Sequence, residues 1–291
     1  MIHIDSLKVF YGDHLALNIQ QPLSIDRGDR IGVIGANGAG KTTLLHALLG
    51  IVPSKGQVRM DVAREEIAVH LQFNEYITTT SVRYLMEAVL GTRIERHPTV
   101  MALIEFFNFK DSLKKRFNQL SGGQKQRLTL ILVIAQNSPL VFFDEVTSGL
   151  DFESRQRLVE LIGEHYKDKD STLCFITHYY EELENFAEKL LLLHEGEVVD
   201  FGEKEALFHK YCGRTIFVID RSEQNEAIVQ NFRQIEAPSY RMALSAQDEE
   251  QEKQIAQTLI EHNINYKRTS SDIEIMSVNA LKRWEKERSE R

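Results

Sequence analysis

A glycine-rich octapeptide near the N-terminus has the spacing of a phosphate-binding loop. A predicted strand at residues 31–34 precedes it, and an amphipathic helical pattern follows it. The octapeptide consists of Gly35, Ala36, Asn37, Gly38, Ala39, Gly40, Lys41 and Thr42. A phosphate needs backbone N–H groups that converge on it, and Gly38 and Gly40 keep side chains out of the loop. The segment therefore predicts a nucleotide-phosphate site.

Three side chains at the end of this loop have separate tasks toward a nucleotide. Lys41 can reach the β- and γ-phosphates, and the Thr42 hydroxyl can ligate Mg²⁺. Thr43, one residue further round the first helical turn, is placed to meet the α-phosphate. Kinases, GTPases and motor proteins share such a loop, so the loop alone does not define a function.

Two adjacent carboxylates, Asp144 and Glu145, follow an apolar run at residues 140–143. A strand of this kind presents them at the carboxyl edge of a parallel sheet, where ligands of α/β proteins bind. Successive residues at a strand end point in different directions, so the two can have different roles. We expect Asp144 to hold Mg²⁺ or one of its waters and Glu145 to polarise the attacking water as general base.

The pentapeptide Leu120-Ser121-Gly122-Gly123-Gln124 resembles the signature of ATP-binding cassette (ABC) ATPases. The order of the other motifs also fits that family, because the phosphate loop, Gln72, the pentapeptide, the pair Asp144 and Glu145, and then His178 follow one another along the chain. The resemblance implies that the nucleotide is ATP, that Mg²⁺ is the cofactor and that the chain is an ATPase.

The resemblance also implies roles for four single residues. Gln72 is similar to the glutamine that touches Mg²⁺ and the attacking water, and His178 to the switch histidine that contacts the γ-phosphate. Tyr11 stands where the family stacks an aromatic ring on adenine, and Asp151 resembles the aspartate that couples two active sites. One residue departs from the pattern, since Val146 occupies the usual place of a proline, and we expect a softer turn there.

Two copies facing head to tail are a further implication of the resemblance. Ser121 and Gly123 of one copy then meet the γ-phosphate held by Lys41 of the other. Gln124 is counted among the nucleotide-binding residues with them. ATP lies in the interface, and neither chain alone has a complete site. The sequence leaves open whether the two chains are identical or different.

Glycine placement divides the chain, because all 16 glycines lie between Gly12 and Gly213. Residues 1–209, which carry the resemblance, alternate apolar strands with helices and predict an α/β nucleotide-binding domain. Its sheet is largely parallel with an N-terminal antiparallel portion. Residues of about 78–136 predict an inserted helical subdomain. Residues 214–291 predict a small α/β accessory domain.

The accessory domain is predicted to alternate strands and helices. The predicted strands are residues 215–219, 240–244, a segment near Tyr266, and 273–276. The predicted helices are residues 224–232, a charged segment through Ile255 and Leu259, and a last helix for which Ser277 is the N-cap.

Composition excludes several classes of protein. With 42% hydrophobic and 27% charged residues among 291, the chain is neither disordered nor collagen-like. We find no apolar run of membrane-spanning length and no signal peptide, which predicts a cytoplasmic location. Cys174 lies in an apolar run and is interpreted as a buried thiol rather than part of a disulfide framework. A net charge of −8 argues against nucleic acid as a partner.

These observations favour an ATPase subunit that powers a separate integral membrane permease from the inner face of the cell membrane. Export is the expected direction, because the tail with its segment 277–281 resembles extensions of exporter-type ABC ATPases of the bacterial drug, lipid and polysaccharide group. A regulatory or dimer-supporting role for the tail fits the sequence equally well. The alternative is a soluble ABC ATPase that acts on a non-membrane assembly. The chain has one cassette and no long coiled coil between its motifs, which argues against that alternative.

Overall fold

The N-terminal segment supplies an antiparallel sheet and two strands of a second sheet. The computed structural model describes residues 1–71 and 79–290. The first elements are β1 (Ile2–Tyr11), β2 (His14–Ile19), β3 (Leu23–Ile25), β4 (Arg30–Ile34), α1 (Lys41–Leu48), β5 (Ser54–Met60) and β6 (Ile67–His70), with a short 3-10 turn at Arg64–Glu66. Strand β1 pairs antiparallel with β2, β3 and β5, which confirms the antiparallel N-terminal portion.

Helices dominate the next segment, as predicted for the inserted subdomain. They are α2 (Val82–Leu90), α3 (Pro98–Phe106) and α4 (Gly122–Gln136), with 3-10 turns at Ile94–Arg96, Lys110–Lys114 and Phe117–Gln119. Ser81 caps α2 by accepting a hydrogen bond from the backbone N–H of Tyr84. The buried Val82, Leu85 and Met86 give α2 one apolar face toward the core.

The central sheet is completed by the segment that follows. Its elements are β7 (Leu140–Asp144), α5 (Phe152–Tyr166), β8 (Thr172–Ile176), α6 (Tyr180–Glu184), β9 (Lys189–His194), β10 (Glu197–Glu203) and α7 (Lys204–Cys212). The strand order is β10-β9-β4-β8-β7-β6, with every pairing parallel except β10 with β9. Phe142 and Phe143 both are buried, in cores on opposite faces of this sheet, as expected for a parallel sheet covered on both sides.

The C-terminal tail is a small α/β sandwich. Its elements are β11 (Thr215–Asp220), α8 (Glu223–Val229), β12 (Gln234–Ile235), β13 (Arg241–Ala246), α9 (Glu249–Glu261), β14 (Tyr266–Thr269) and α10 (Ile273–Ser289). The antiparallel strand order β12-β13-β11-β14 and the βαββαβ succession are those of a ferredoxin-like unit, with α10 added at its end. The predicted C-terminal α/β character is confirmed.

Three details of the predicted tail are wrong. Residues 273–276 are the first turn of α10 rather than a strand, and the N-cap is Asp272, whose Oδ1 accepts from the Ile275 N–H at 3.0 Å, rather than Ser277. Buried Ile273 and Ile275 alternate as in a strand, but Met276 and Ala280 continue the apolar face at helical spacing, and the cap decides in favour of the helix. Helix α8 also ends at Val229, before the predicted residue 232.

The tail shares a core with the cassette. Buried Ile273, Met276 and Ala280 of α10 belong to the same apolar cluster as Leu183 and Phe208 of the preceding part. The predicted division at residues 209–214 therefore falls at the end of α7, where the apolar core is continuous. Among the described residues, no helix is both long and apolar enough to cross a membrane. Cys174 and Cys212 both are free and buried.

Candidate functional site

Three neighbouring parallel strands bring the chemistry-bearing loops to one edge of the central sheet. In the strand register, Ile176 of β8 lies beside Val33 of β4 on one side and beside Asp144 of β7 on the other. All three strands run in the same direction. The phosphate loop, the carboxylate pair and His178 therefore leave the sheet at the same level, at its carboxyl edge.

The glycines of the phosphate loop meet two different demands. A Cβ at Gly35 would lie 2.3 Å from the Leu193 carbonyl oxygen, so this position must pass close to β9. Gly38 has φ +82° and open space around its would-be Cβ, and Gly40 has φ +101° as the N-cap of α1. Ala39 is buried, and its carbonyl accepts from the Gly196 N–H at 3.1 Å. Ala36 and Asn37 are exposed. The loop thus leaves the concave surface that a phosphate needs.

Lys41 is the first residue of α1, and its side chain folds back onto this loop. Its Nζ donates to the carbonyl oxygens of Gly35 at 2.7 Å and Ala36 at 3.1 Å. Burial lowers the pKa of Lys41, while the nearby Glu145 and Asp144 raise it. The ammonium group and the two carboxylates therefore face one another across the site. Thr43 lies in the first turn of α1 and is half-buried.

Asp144 is a buried carboxyl group beside a second carboxylate. Burial raises its pKa to about 6, Glu145 adds to the rise, and Lys41 and a hydrogen bond from Thr42 oppose it. A divalent cation would offset the electrostatic repulsion between these two neighbouring carboxylates. The Thr42 hydroxyl and the Asp144 carboxylate are hard oxygen donors of the kind that Mg²⁺ takes from a protein before completing its shell with phosphate and water. The residues present fit the ion.

Within residues 1–71 and 79–290, no group of three or more His, Cys, Asp and Glu side chains could hold a metal by itself.

Glu145 occupies the turn that leaves β7. It has φ +48°, its N–H donates to the Ile176 carbonyl at 2.9 Å, and its carbonyl accepts from the Ser148 N–H at 3.0 Å. The Nδ1 of His178 lies 3.7 Å from Glu145 Oε1. Val146, the residue at the proline position, buries its side chain in the core. The structure therefore anchors the Glu145 backbone on β8 and brings its carboxylate to the exposed His178.

The signature residues begin α4. Ser121 is its N-cap and accepts from the Gln124 N–H at 3.3 Å, while Gln124 Oε1 accepts from the Ser121 N–H at 3.1 Å. This capping box uses the Gln124 side chain to fix the helix start. Gly123 is exposed, with nothing within 4 Å of a would-be Cβ. The start of α4 is thus an open helix N-terminus, and the predicted nucleotide contacts of these residues stay predictions.

Asp151 caps α5. Its carboxylate accepts from the Ser154 N–H at 2.9 Å and from the Ser154 hydroxyl at 2.8 Å, and these bonds lower its pKa. Tyr11 ends β1 with 48% of its surface exposed, which leaves its ring available for stacking. Among the described residues, no hydrogen bond or ion pair joins Tyr11, Asp151 or Ser121 to Lys41 or Asp144. Gln72 lies outside the described residues.

One group of contacts beside His178 was not predicted. The Tyr179 ring lies 4.0 Å from the His178 ring, and the Arg155 guanidinium lies 3.8 Å from the Tyr179 ring centre. An aromatic residue next to a predicted functional histidine is the only sequence signal for it, because Arg155 comes from a different helix. His70 is buried at the end of β6, where burial lowers its pKa to about 4.

Comparison with known families and proteins agrees with this geometry. A family model described as ABC transporter matches residues 20–148. The methionine import ATP-binding protein MetN of Corynebacterium efficiens is 31% identical over 204 residues, which is 64% of this chain and 57% of that protein. This chain therefore spans less than two thirds of the length of that relative. The Nod factor export ATP-binding protein I of Paraburkholderia xenovorans is 30% identical over 237 residues, 75% of this chain and 76% of that protein.

Solved structures share the fold at lower sequence identity. The solved structure of the ATP binding subunit of an ABC transporter superposes on this chain with a TM-score of 0.65 at 21% identity, covering 72% of this chain and 93% of that one. An ATP-binding cassette solved as a dimer in a post-hydrolysis state with ADP and Pi has a TM-score of 0.60 at 22% identity, covering 70% of this chain and 98% of that one.

Proposed function

This chain belongs to the ABC transporter family of ATP-binding proteins, and on that premise we propose that it hydrolyses ATP to power a separate membrane permease. The observation that carries the proposal is the convergence of Lys41, Asp144, Glu145 and His178 at one sheet edge. A phosphate loop brings the nucleotide to this edge, and the carboxylate pair supplies a metal ligand and a base. A vestigial nucleotide-binding scaffold would not need both carboxylates.

The hydrolytic step follows from the positions of these groups. Glu145 accepts a proton from the attacking water as the water oxygen forms its bond to the γ-phosphorus. The bond from that phosphorus to the β–γ bridging oxygen breaks, and ADP leaves with the electron pair. Lys41 and the N–H groups of the loop stabilise the charge on the phosphates. His178, next to Glu145, orients the γ-phosphate and the base. Thr42 and Asp144 would hold Mg²⁺, which would supply positive charge against the phosphates when bound.

A second copy of the chain completes the proposed site. The open N-terminus of α4 carries exposed backbone N–H groups and the positive end of the helix dipole, both of which favour an anion. We propose that Ser121 and Gly123 of one copy approach the γ-phosphate held by Lys41 of the other. To move two copies from mostly open to mostly closed, ATP must favour closure by about 5.5 kcal/mol. Hydrolysis removes the γ-phosphate and with it that preference.

The permease is a separate polypeptide in this proposal, and the chain works at the inner face of the cell membrane. A relative named for import and a relative named for export are about equally similar to this chain, at 31% and 30% identity. Export is supported by the extent of the match, because the alignment to the Nod factor export protein covers 75% of this chain and that to the methionine import protein covers 64%. The transported substrate would bind to the permease rather than to the residues described above.

The experiment is purification of the full chain as bait from detergent-solubilised membranes of its own cells, followed by ATPase assays. We expect a multi-span membrane protein to co-purify and to stimulate turnover of the wild-type chain. The same bait carrying Lys41→Ala is the matched control, which should still recover the membrane protein without turnover. Recovery of soluble partners alone, with full ATPase activity in their presence, would favour the non-membrane alternative and contradict the transporter assignment.

A further inference from the structure

Tyr179 stands between the proposed catalytic pair and helix α5. Its ring contacts the His178 ring, with centroids 4.0 Å apart and planes at 38°. It also contacts the Arg155 guanidinium, whose carbon lies 3.8 Å from the ring centre. His178 in turn reaches Glu145, at 3.7 Å. Four side chains from three segments of the chain therefore form one continuous series of contacts.

Hydrogen bonds to Thr177 hold the turn that carries Tyr179. The Tyr179 N–H donates to the Thr177 hydroxyl at 3.0 Å, and that hydroxyl donates to the buried Glu182 Oε2 at 2.9 Å. Helix α6 begins at the next residue. The His178 side chain, by contrast, is 44% exposed. An exposed side chain samples several rotamers unless a neighbour restricts it, and the Tyr179 ring is such a neighbour.

Arg155 brings the start of α5 into the series. It lies one turn after Asp151, and its N–H donates to the Asp151 carbonyl at 3.0 Å. Its guanidinium lies 5.9 Å from the ring of Phe152, which is 55% exposed. The buried Arg155 Nε has no hydrogen-bond partner among the described residues. Ring contacts and the charge of Glu182 therefore place this guanidinium, and its position follows that of the first turn of α5.

We propose that Tyr179 and Arg155 are positioning residues for His178, and that through them the first turn of α5 sets the geometry of the His178–Glu145 pair. The inference rests on the proposed function, since it concerns hydrolysis at this site. It adds a physical route by which a contact made at Asp151 or Phe152 by another copy would reach the catalytic carboxylate. Small misplacement of a catalytic group is enough to slow a reaction by up to about a hundredfold.

The experiment compares Tyr179→Leu with Tyr179→Phe in the full chain. Leucine removes the ring, and we expect kcat for ATP hydrolysis to fall about tenfold while KM and ATP affinity change by less than about twofold. Phenylalanine keeps the ring and should restore kcat to within about twofold of wild type. Tyr240→Leu is the matched control, because Tyr240 is 63% exposed and also contacts an arginine, Arg241, but lies in the tail.

A second measurement reports the contact itself. The Tyr179 ring should shift the NMR signals of the His178 ring protons upfield, and the signals are identified by their loss in His178→Gln. We expect the shift to persist in Tyr179→Phe and to disappear in Tyr179→Leu. Arg155→Met should reduce kcat without changing ATP affinity, and it provides a second test if Tyr179→Leu lowers the melting temperature.

The possible results separate the two proposals. A wild-type chain without ATPase activity would contradict the proposed function, while the NMR comparison would still report whether Tyr179 holds His178. An active wild type with unchanged kcat in Tyr179→Leu and Arg155→Met would overturn the inference and leave the function intact. A Tyr179→Phe variant as slow as Tyr179→Leu would also overturn it, because the hydroxyl rather than the ring would then matter.

Discussion

The Nδ1 of His178 lies 3.7 Å from Oε1 of Glu145, although the two residues are 33 positions apart in the sequence and helix α5 and strand β8 lie between them. Strands β7 and β8 are parallel neighbours, and Asp144 is in register with Ile176, so the residues that follow each strand meet above the sheet edge. The imidazole and the carboxylate therefore face the mouth of the phosphate loop together. The proposed hydrolytic step depends on this pairing, and the predictions below test it.

Replacing Glu145 with glutamine should separate binding from hydrolysis. The amide keeps the shape of the side chain but cannot accept the proton of the attacking water, so we expect ATP affinity near that of wild type and turnover reduced by about a hundredfold or more. Steady-state phosphate release and equilibrium ATP binding measure the two quantities. Normal turnover in Glu145→Gln would mean that another group is the base.

Replacing Lys41 with alanine should remove ATP binding. Its ammonium group is the cation inside the loop, and the same substitution leaves Asp144 and Glu145 without their nearby positive charge. Titration with a fluorescent ATP analogue measures the affinity, with the exposed Lys253→Ala as control. Unchanged affinity in Lys41→Ala would contradict the assignment of the phosphate loop.

Alanine at two glycines should have opposite effects on folding. A methyl group at Gly35 would meet the Leu193 carbonyl at 2.3 Å, so Gly35→Ala should lower the melting temperature. Gly123 is helical with open space around it, so Gly123→Ala should keep or raise the melting temperature, since alanine favours a helix by about 0.5–1 kcal/mol. If Gly123 faces a γ-phosphate, the methyl group should nevertheless reduce ATPase activity. A fully active Gly123→Ala would argue against the signature contact.

Asp144 should make stability depend on pH in the absence of Mg²⁺ and nucleotide. Burial raises its folded pKa to about 6, above its ordinary value of 3.8, so the folded protein keeps a proton that the unfolded chain has released. The stability from this group is present below about pH 4 and is lost as pH rises to about 6, by up to about 3 kcal/mol. Asp144→Asn should lack this loss and be more stable than wild type at pH 7.

Urea unfolding of both proteins at pH 5 and pH 7 gives the comparison. The difference between wild type and Asp144→Asn isolates this one group from the other titrating residues. Equal changes in the two proteins would show that Asp144 does not have a raised pKa. In the same variant, ATP hydrolysis in Mg²⁺ should be lost, because a neutral amide replaces the charged oxygen donor.

The tail should unfold together with the cassette. Met276 of α10 is buried in the core that contains Leu183 and Phe208, so Met276→Ala should destabilise the whole protein by about 2–4 kcal/mol and lower a single melting transition. Val278 lies on the same helix but is 37% exposed, and Val278→Ala should cost less than about 1 kcal/mol. Two transitions, of which Met276→Ala moves only one, would instead support an independent domain at residues 214–291.

The sequence predicts best the features that local pattern controls. Residues 31–34, 140–143 and 173–176 are continuous apolar runs, and they form β4, β7 and β8 because a parallel sheet covered on both faces accepts such runs. The residues just after these runs, including Lys41 and Glu145, then reach one edge by topology alone. The candidate site could therefore be predicted from motif order.

Other features depend on contacts that pattern does not encode. The apolar alternation at residues 273–276 suits a strand in isolation, and only the Asp272 cap and the burial of Ala280 make it helical. The capping roles of Gln124 and Asp151 depend on local sequence. They were not predicted, because the motifs that contain these residues suggest ligand contacts instead. The contact of Arg155 with Tyr179 joins helix α5 to the residue that precedes α6, and it could not be predicted from either segment alone.

The most direct test of the account measures the molar mass of Glu145→Gln in solution with and without ATP and Mg²⁺, by size-exclusion chromatography with light scattering. The chain has a mass of 33.5 kDa. We expect that mass without nucleotide and twice that mass with it, and we expect Gly123→Ala added to Glu145→Gln to prevent the doubling. A chain saturated with ATP whose mass stays at 33.5 kDa would contradict a site shared between two copies.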